Sequence, residues 1–191
     1  MEEATIARDY TWPVKITTFD AGQDQRLTPA GQLRLQQEIG ELHMSTGGLG
    51  YQVLCDAGMA FLLTRTNSVV HRAPALNEEV ALRTWHRGTR GAQFYRCYEF
   101  LDKAGEKLIE SVTAFALVDV RDHRLLRPDA FEPYGLLTQP ERRNDCPDPV
   151  KWKQPDDMKP VGDHVVRWSE VDWNGHLNNT IYANYLCDYL P

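Results

Sequence analysis

Residues 93–119 read QFYRCYEFLDKAGEKLIESVTAFALVD, and this stretch decides the fold class. Two runs rich in aromatic and β-branched residues, Gln93–Leu101 and Lys107–Asp119, lie on either side of the short segment Asp102–Gly105. Strand composition on both sides of a polar turn that ends in glycine is typical of an antiparallel β-hairpin. We therefore predict that the two runs are neighbouring strands joined by a turn at Asp102–Gly105.

A long helix is predicted upstream of this hairpin, from about Thr28 to Ser45. Thr28 suits the N-cap position and Pro29 the first helical position, and the glycine pair at 47–48 ends the pattern. Apolar residues recur at helical spacing on one face of this segment, at Leu35, Ile39 and Leu42. We expect this face to pack against apolar strand residues, namely Phe61, Leu63, Phe115 and Leu117.

Three further segments have strand character. Val14–Asp20 precedes the helix, Met59–His71 and Glu79–His86 follow it, and Leu49–Gly58 is long enough for one short helical turn. One strand, then a helix, then several long antiparallel strands predicts an α+β architecture in which a sheet curls around a central helix. This arrangement is the hotdog fold. We expect it to be complete within residues 10–130, in an N-terminal domain that spans 1–130.

Composition limits the class of protein. A chain of 191 residues with 42% hydrophobic and 25% charged residues has ordinary globular usage, which argues against a disordered or collagen-like chain. The net charge of -6 argues against a general nucleic-acid binder. The acidic start at 1–5 lacks a signal-peptide pattern, and no apolar run is long enough for stable membrane insertion, so we expect a cytoplasmic protein. No phosphate loop or metal signature is present, so no cofactor is implied.

The second half of the chain differs in character. Residues 131–160 are rich in proline and predict an extended linker that runs over the surface. A strand at His164–Ser169, a polar turn at Asp172–His176 and a helix from about Asn178 then repeat the opening order, with Asp172 lying 152 residues after Asp20. We predict that residues 161–191 begin a second hotdog domain. The predicted helix is apolar around most of its circumference, so we expect further C-terminal residues or a partner chain to cover it, or else an aggregation-prone product.

The turn at Asp172–His176 is the strongest candidate for chemistry. Hydrolysis of a thioester needs a base for water, a group that orients the base, and donors for the developing oxyanion. His176 is the candidate base, and Asp172 and Asn174 lie close enough in sequence to converge on its imidazole or on water. The start of the following helix would offer free N–H groups to a thioester carbonyl. The alternative is that the same residues form only an Asx turn and a helix cap.

The wider segment Trp168–Tyr182 resembles the motif of plant and bacterial acyl-carrier-protein (ACP) thioesterases. In that family an Asp-x-Asn-x-His-x-Asn-Asn-x-x-Tyr run opens the second of two tandem hotdog domains. Six residues of this sequence match it: Asp172, Asn174, His176, Asn178, Asn179 and Tyr182. The upstream stretch Met59–Arg65 is also similar to a family strand that ends in Thr-Arg, so the resemblance covers nearly the whole chain.

The resemblance implies a function and a partner. Asp172, Asn174 and His176 would be catalytic residues that hydrolyse acyl-ACP to free fatty acid during lipid synthesis, and the first domain would hold the acyl chain. ACP is acidic, and the nearest feature to a docking patch is a group of arginines: Arg121, Arg124, Arg127, Arg142 and Arg143. The family also uses an acidic residue on a strand beyond the motif, and this sequence stops at Pro191 before any such strand.

Other interpretations remain open at this point. An acyl-CoA thioesterase would use the same water attack, and a non-catalytic acyl-binding hotdog module would need no base. Glu38 and Glu41 on the first helix are alternative carboxylates, by analogy with single-domain hotdog thioesterases. The other histidines, at 43, 71, 86, 123 and 164, lack a comparable turn, so we expect core or solvated positions for them. A homodimer is an open alternative for the assembly.

Overall fold

The computed structural model describes residues 6–190, so the acidic start at 1–5 lies outside the described residues. This range contains five strands, three α-helices and two 3₁₀ elements. None of these helices is both long and apolar enough to cross a membrane. In chain order the elements are β1 (Asp9–Lys15), α1 (Pro29–Ser45), α2 (Tyr51–Asp56), β2 (Met59–Val70), β3 (Glu79–Arg90), β4 (Gln93–Leu101), β5 (Lys107–Asp119), a 3₁₀ helix (Pro128–Tyr134), a 3₁₀ turn (Trp168–Glu170) and α3 (Ile181–Tyr189).

The five strands form one antiparallel sheet in the order β1-β3-β4-β5-β2. The predicted hairpin joins β4 to β5, and its turn is closed by the Asp102 carboxylate, which accepts from the N–H groups of Ala104 (2.8 Å) and Glu106 (2.9 Å). Gly105 takes the left-handed conformation, with φ of 86°. An antiparallel sheet with one long helix packed on it confirms the predicted α+β hotdog fold.

Helix α1 begins where the sequence predicts. The Thr28 hydroxyl caps it by accepting from the Gly31 N–H (3.0 Å), and Pro29 occupies the first helical position. A Cβ atom at position 31 would lie 2.6 Å from the Asp20 carbonyl oxygen, so only glycine allows the preceding turn to pack this closely on the helix. The cap and this close approach fix where α1 starts against the first turn.

The packing of α1 differs from the prediction. Leu35 and Ile39 are buried, but they pack with residues of β1, β3, β4 and β5, such as Val14, Leu82 and Phe100. The helix is about 25 Å long at 1.5 Å per residue, so its two ends meet different parts of the sheet. The strand residues expected to contact Leu35 and Ile39 lie elsewhere. Phe61, Phe115 and Leu117 pack with Met44 in a second cluster, and Leu63 lines a cavity. Leu42, the third residue of the predicted helix face, is only half-buried.

Two strand boundaries also differ from the prediction. The first strand is Asp9–Lys15 rather than Val14–Asp20, because β1 pairs with β3 only as far as Lys15 opposite Glu79. Beyond it, the Asp20 carboxylate accepts from the Thr17 N–H (3.0 Å) and folds residues 17–20 into a turn. Strand β3 continues past His86 to Arg90, with a bulge between His86 and Gly88 that shifts its register against β4.

Part of the proline-rich stretch, within residues 131–149, packs on the sheet, whereas residues 150–160 are exposed. Phe131 is 1% exposed, and Asn144 and Cys146 are buried. The Asn144 side-chain amide donates to the carbonyls of Tyr98 (3.2 Å) and Ser111 (3.0 Å), so this stretch covers the outer face of β4 and β5. The prediction of an extended surface path was therefore wrong for these residues. The domain boundaries predicted at residues 130 and 160 stay predictions.

The predicted strand at His164–Ser169 is not formed. A strand needs a neighbour with which to pair, and no residue of the described range 6–190 pairs with 164–167. The chain instead makes a 3₁₀ turn at Trp168–Glu170 before α3. Helix α3 touches α1 but leaves more than half of several apolar side chains exposed, at Tyr182, Leu186, Tyr189 and Leu190. That further residues cover this surface stays a prediction.

A turn before α1 and a turn before α3 share the same backbone hydrogen bonds. Gly22 N–H donates to the Arg26 carbonyl (2.9 Å), and Asp172 N–H donates to the His176 carbonyl (2.8 Å). Three further features correspond in the same way. Each turn is closed by an isolated bridge, Ala21–Leu27 in the first and Val171–Leu177 in the second. The Thr28 N–H donates to the Asp20 carbonyl as the Asn178 N–H donates to the Glu170 carbonyl, and Gln25 and Gly175 both have positive φ.

The structural repeat therefore has an offset of 150 residues, not the 152 predicted from Asp20 and Asp172. Glu170, rather than Asp172, is the equivalent of Asp20, and each carboxylate accepts from the N–H three residues before it. Asp172 corresponds to Gly22. The repeat supports a duplicated turn-helix unit, while a complete second hotdog domain stays a prediction.

Candidate active site

The segment Val171–Leu177 folds into a tight turn closed by a bridge between its two end residues. Besides the bond between Asp172 and His176, the Gly175 N–H donates to the Asp172 carbonyl (2.9 Å). Gly175 has φ of 78°, a left-handed conformation that glycine adopts without strain. The backbone of the turn is thus fixed by its own hydrogen bonds.

The Asp172 carboxylate stabilises this turn. Its Oδ1 accepts from the N–H groups of Asn174 (2.9 Å) and His176 (3.2 Å), which is the geometry of an Asx turn. No hydrogen bond joins this carboxylate to the His176 imidazole within residues 6–190. Asp172 therefore positions the backbone that carries Asn174 and His176, and the expected direct contact with the imidazole is not formed.

All three predicted site residues line one cavity of about 590 Å³. Asp172 is half-buried, and the side chains of Asn174 and His176 are exposed at the tip of the turn. Within the described range, neither the Asn174 amide nor the His176 imidazole has a hydrogen-bond partner. Both groups are therefore free to bind water or substrate.

The remaining walls of the cavity come from α1, α2 and the sheet. Most of the lining is apolar, with contributions from Leu33, Met44, Leu49, Leu54, Phe61, Leu63 and Phe115. A smaller polar part lies on α1, α2, β4 and β5, at Gln36, Gln37, Glu38, Glu41, Gln52, Arg96, Tyr98 and Thr113. A cavity that is mainly apolar with a few polar groups suits a ligand with a hydrocarbon chain.

The helix after the turn begins later than predicted. Residues 178–180 form a further turn, in which the Asn178 side-chain oxygen accepts from the Thr180 N–H (2.9 Å), and α3 starts at Ile181. The Ile181 N–H donates to the Asn178 carbonyl (3.0 Å). The N–H groups expected to be free near Asn178 are thus partly occupied. The N–H of Asn179, whose residue lines the cavity, has no partner among residues 6–190.

The two alternative carboxylates of α1 both lie at the cavity. Glu41 accepts from the Tyr51 N–H (2.8 Å) and so stabilises the start of α2, while Glu38 is exposed. Tyr51 in turn contacts Trp173 of the turn. Burial, with a smaller contribution from Cys55, raises the pKa of the Tyr51 hydroxyl to about 12. Glu41 and Tyr51 therefore connect α1 and α2 to the turn.

Of the other histidines, His43 and His86 lie in the core and His123 is exposed, while His71 and His164 are hydrogen-bonded to carboxylates. His71 binds Glu110, and His164 binds Glu170. His43 and His86 are buried next to Arg96, a cluster that the sequence did not reveal because it needs the register between β3 and β4. Within the described part of the chain, no group of three or more His, Cys, Asp and Glu side chains is arranged to hold a metal ion.

The arginines considered for docking do not form one patch. Arg121 binds Asp119 through its Nη2 (2.6 Å), and Arg124 binds Asp122 (2.7 Å), so acidic neighbours offset their charges. Arg142 lies over the Trp85 ring on the outer face of the sheet, with its guanidinium carbon 4.1 Å from the ring centroid. The expected basic surface is thus divided between two places.

Comparison with known families agrees with this architecture. The model of the acyl-ACP thioesterase N-terminal domain matches residues 7–133, about two thirds of the chain. The chain belongs to the acyl-ACP thioesterase family. The model of the acyl-ACP thioesterase C-terminal domain matches residues 153–191, which include the whole turn.

Curated members of the family are distant relatives in sequence. The chloroplastic palmitoyl-acyl carrier protein thioesterase of Gossypium hirsutum is 24% identical over 193 aligned positions, which cover 92% of this chain and 46% of the relative. The protein of the same name from Arabidopsis thaliana is 24% identical with the same coverage. This acyl-ACP thioesterase chain thus spans about half the length of the curated relatives it matches.

Solved structures share its fold. An acyl-ACP thioesterase from Bacteroides thetaiotaomicron superposes with a TM-score of 0.77 at 20% identity, over 96% of this chain and 74% of that one. A 12:0-ACP thioesterase from Umbellularia californica superposes with a TM-score of 0.75 at 20% identity, over 97% of this chain and 76% of that one. A DHNA-CoA thioesterase from Staphylococcus aureus superposes with a TM-score of 0.60 at 14% identity, over 65% of this chain and 84% of that one. At these identities the likeness extends to the hotdog fold alone.

Proposed function

We propose that the protein hydrolyses fatty acyl-ACP to free fatty acid and ACP, with the turn Asp172–His176 as its catalytic segment. The observation that carries this proposal is the common position of Asp172, Asn174 and His176 on the wall of a mainly apolar cavity. The three curated relatives are named as acyl-ACP hydrolases or palmitoyl-ACP thioesterases, which supports the same substrate class.

His176 acts as the general base in this scheme. A water oxygen attacks the thioester carbonyl carbon while its proton moves to the imidazole, which leaves a tetrahedral intermediate with a negative oxygen. The C–S bond then breaks, its electron pair leaves on sulfur, and the imidazolium returns the proton to the ACP thiolate. The products are a fatty acid and the free thiol, so the imidazole ends each cycle neutral.

Asp172 and Asn174 support this chemistry in different ways. The Asp172 carboxylate holds the backbone N–H of His176 and so fixes the position of the base. The Asn174 amide is exposed in the same turn and is free to orient the attacking water. The N–H of Asn179 is the donor we assign to the developing oxyanion, because Asn179 lines the cavity and its N–H has no partner among residues 6–190.

The acyl chain would lie in the cavity between α1 and the sheet. Burial of hydrocarbon against leucine, methionine and phenylalanine side chains provides the binding free energy, at roughly 25 cal/mol per Å² of apolar surface removed from water. Binding of the chain then presents the thioester carbonyl to the turn.

Steady-state hydrolysis of palmitoyl-ACP and palmitoyl-CoA by the full-length protein tests the proposal. We expect a higher kcat/KM with ACP, and large losses of kcat in Asp172→Ala and Asn174→Ala. The double variant should lose little more than the worse single variant, because the residues act as one unit. Fully additive losses of kcat would show that the residues do not act as one site. A higher kcat/KM with palmitoyl-CoA would show that CoA, rather than ACP, is the preferred carrier.

A further inference from the structure

Gly40 lies in the interior of α1, well before the helix ends at Ser45. Glycine is the poorest helix former after proline, so its presence in a helix interior needs a structural reason. A left-handed backbone is one such reason, but Gly40 is helical and does not have a positive φ. The backbone conformation of α1 therefore does not explain this glycine.

Close packing does not explain it either. A Cβ atom would lie 2.6 Å from a backbone oxygen at Gly31 and 2.5 Å from a side chain at Gly47, so both of these positions exclude a side chain. A Cβ atom at Gly40 would lie 3.7 Å from the hydroxyl oxygen of Tyr98, which is an ordinary van der Waals distance. Among residues 6–190, apart from the helix backbone and the two neighbours of Gly40, no other atom would lie within 4 Å of it. There is therefore room for a side chain at position 40.

This room belongs to the cavity that we assign to the acyl chain. Gly40 and Tyr98 both line the cavity, so a Cβ atom at position 40 would lie between these two wall residues. The other α1 residues nearest to Gly40 on the wall, at 36, 37, 41 and 44, lie at helical spacing from it and all carry long side chains. Tyr98 is 2% exposed and packs in the core, which fixes its ring. We call the space between Gly40 and Tyr98 the notch.

A hydrocarbon chain suits the notch. Protein interiors are close-packed, and atoms that line an unfilled space lose dispersion contacts. A ligand that lies along α1 restores these contacts, and the absence of a Cβ atom lets its methylene groups approach the helix backbone. Most of the remaining wall is apolar, which suits the same kind of ligand. The glycine thus weakens the helix but leaves space that an acyl chain fills.

We propose that Gly40 is a specificity-determining residue, which lets the acyl chain pass through the notch and so sets the length of chain that the cavity accepts. The identity of the ligand as an acyl chain rests on the proposed function. A methyl group at position 40 would occupy space that the chain needs. Acyl chains that extend past the notch would then lose contacts with the wall, while shorter chains would keep theirs.

Calorimetric titration of the full-length protein with free acids tests the proposal without any need for turnover. The ligands are octanoate, dodecanoate and hexadecanoate, and the proteins are the wild type, Gly40→Ala and Gly40→Val. Each methylene group that is no longer buried lowers the affinity about fourfold. We expect the ratio of hexadecanoate to octanoate affinity to fall at least about tenfold in Gly40→Ala. The ratio should fall further in Gly40→Val, because its larger side chain fills more of the notch.

Two further variants separate the space in the notch from the stability of the helix. Tyr98→Phe removes the oxygen that the new methyl group would face, so Gly40→Ala combined with Tyr98→Phe should recover part of the lost ratio. Ser45→Ala changes an exposed α1 residue that does not line the cavity, and it should keep the wild-type ratio. Alanine is a better helix former than glycine, so Gly40→Ala should also have a higher melting temperature than the wild type without ligand.

An unchanged affinity ratio in Gly40→Ala would overturn the proposal, and so would equal losses of affinity at all three chain lengths. A lower melting temperature, or failure of this variant to fold, would show that packing within the protein requires glycine, which also contradicts the proposal. Absence of binding of all three acids by the wild type would overturn it without any variant. If the ratio falls as expected but the wild type does not hydrolyse acyl-ACP, only the proposed function fails.

Discussion

The indole ring of Trp173 meets the phenol ring of Tyr51 edge-on, with ring centroids 4.5 Å apart and ring planes at 77°. Tyr51 is the first residue of α2, and its N–H is bound by Glu41 of α1. An aromatic contact therefore joins the candidate catalytic turn to the start of α2. We expect this contact to help position His176 at the cavity.

Replacement of Trp173 by alanine should loosen this attachment. An edge-to-face aromatic pair contributes about 0.5–1.5 kcal/mol beyond the burial of its area, so we expect a lower kcat on acyl-ACP with a small loss of thermal stability. Trp168→Ala is the matched control, because Trp168 is 92% exposed and should tolerate the change. Equal activity of the two variants would show that the contact does not position the turn.

Replacement of Gly175 by alanine should distort the turn itself. The left-handed conformation at φ 78° costs an L-residue with a Cβ about 1–2 kcal/mol, and that strain falls between Asp172 and His176. Asparagine tolerates this conformation better, so Gly175→Asn should recover much of the activity that Gly175→Ala loses. Hydrolysis rates of the two variants check the order. Equal rates would show that the positive φ is unimportant for the site.

Phe131 should behave as a core residue although the sequence suggests a linker there. Its ring lies 5.0 Å from that of Phe61 and 5.1 Å from that of Tyr134, between centroids. Phe131→Ala should lower the free energy of unfolding by about 3–5 kcal/mol, measured by urea denaturation. Val150→Ala, in the same proline-rich stretch but exposed, is the control and should change little. An equally small effect for Phe131→Ala would instead support the prediction of a surface linker that begins at residue 131.

The sequence predicts several regular elements of the N-terminal part well, because their signals are local, although it misplaces the first strand. Strands β4 and β5 have the predicted bounds, and α1 begins at the predicted cap, since alternation and capping act within a few residues. The turn Asp172–His176 is also recognisable locally. By contrast, Val165 and Val166 suggest a strand, but a strand forms only where a second strand is present to pair with it.

Features that depend on distant contacts could not be predicted. The cluster of Arg96 with His43 and His86 joins β4 to α1 and β3, and only the folded register brings these residues together. The burial of Asn144 depends on two carbonyls of the sheet. The role of Asp172 in the backbone of the turn, rather than at the imidazole, also depends on three-dimensional geometry that spacing does not define.

His43 should make stability depend on pH. Burial and the neighbouring Arg96 lower its pKa from 6.5 to about 4, so between these values the unfolded chain binds a proton that the folded chain does not. The contribution of neutral His43 is complete above pH 6.5 and is lost as the pH falls towards 4, with a slope of at most about 1.4 kcal/mol per pH unit.

Urea denaturation across this pH range measures the effect. His43→Gln keeps polar groups for Arg96 and the Ala7 carbonyl but cannot take up the proton, so its stability should fall less steeply with acidification than that of the wild type. His123→Asn, at an exposed position, should keep the wild-type slope. Parallel curves for His43→Gln and the wild type would contradict a neutral His43.

The most direct test of the central claim, that the turn on the cavity wall is the hydrolytic site, is the turnover of palmitoyl-ACP by full-length His176→Ala. Loss of a positioned general base lowers the rate by about 10²–10⁴, so kcat should fall within that range while binding of free palmitate and thermal stability stay at wild-type values. His123→Asn should retain full turnover. A His176→Ala enzyme with near-normal kcat would remove His176 from the mechanism and contradict the proposed site.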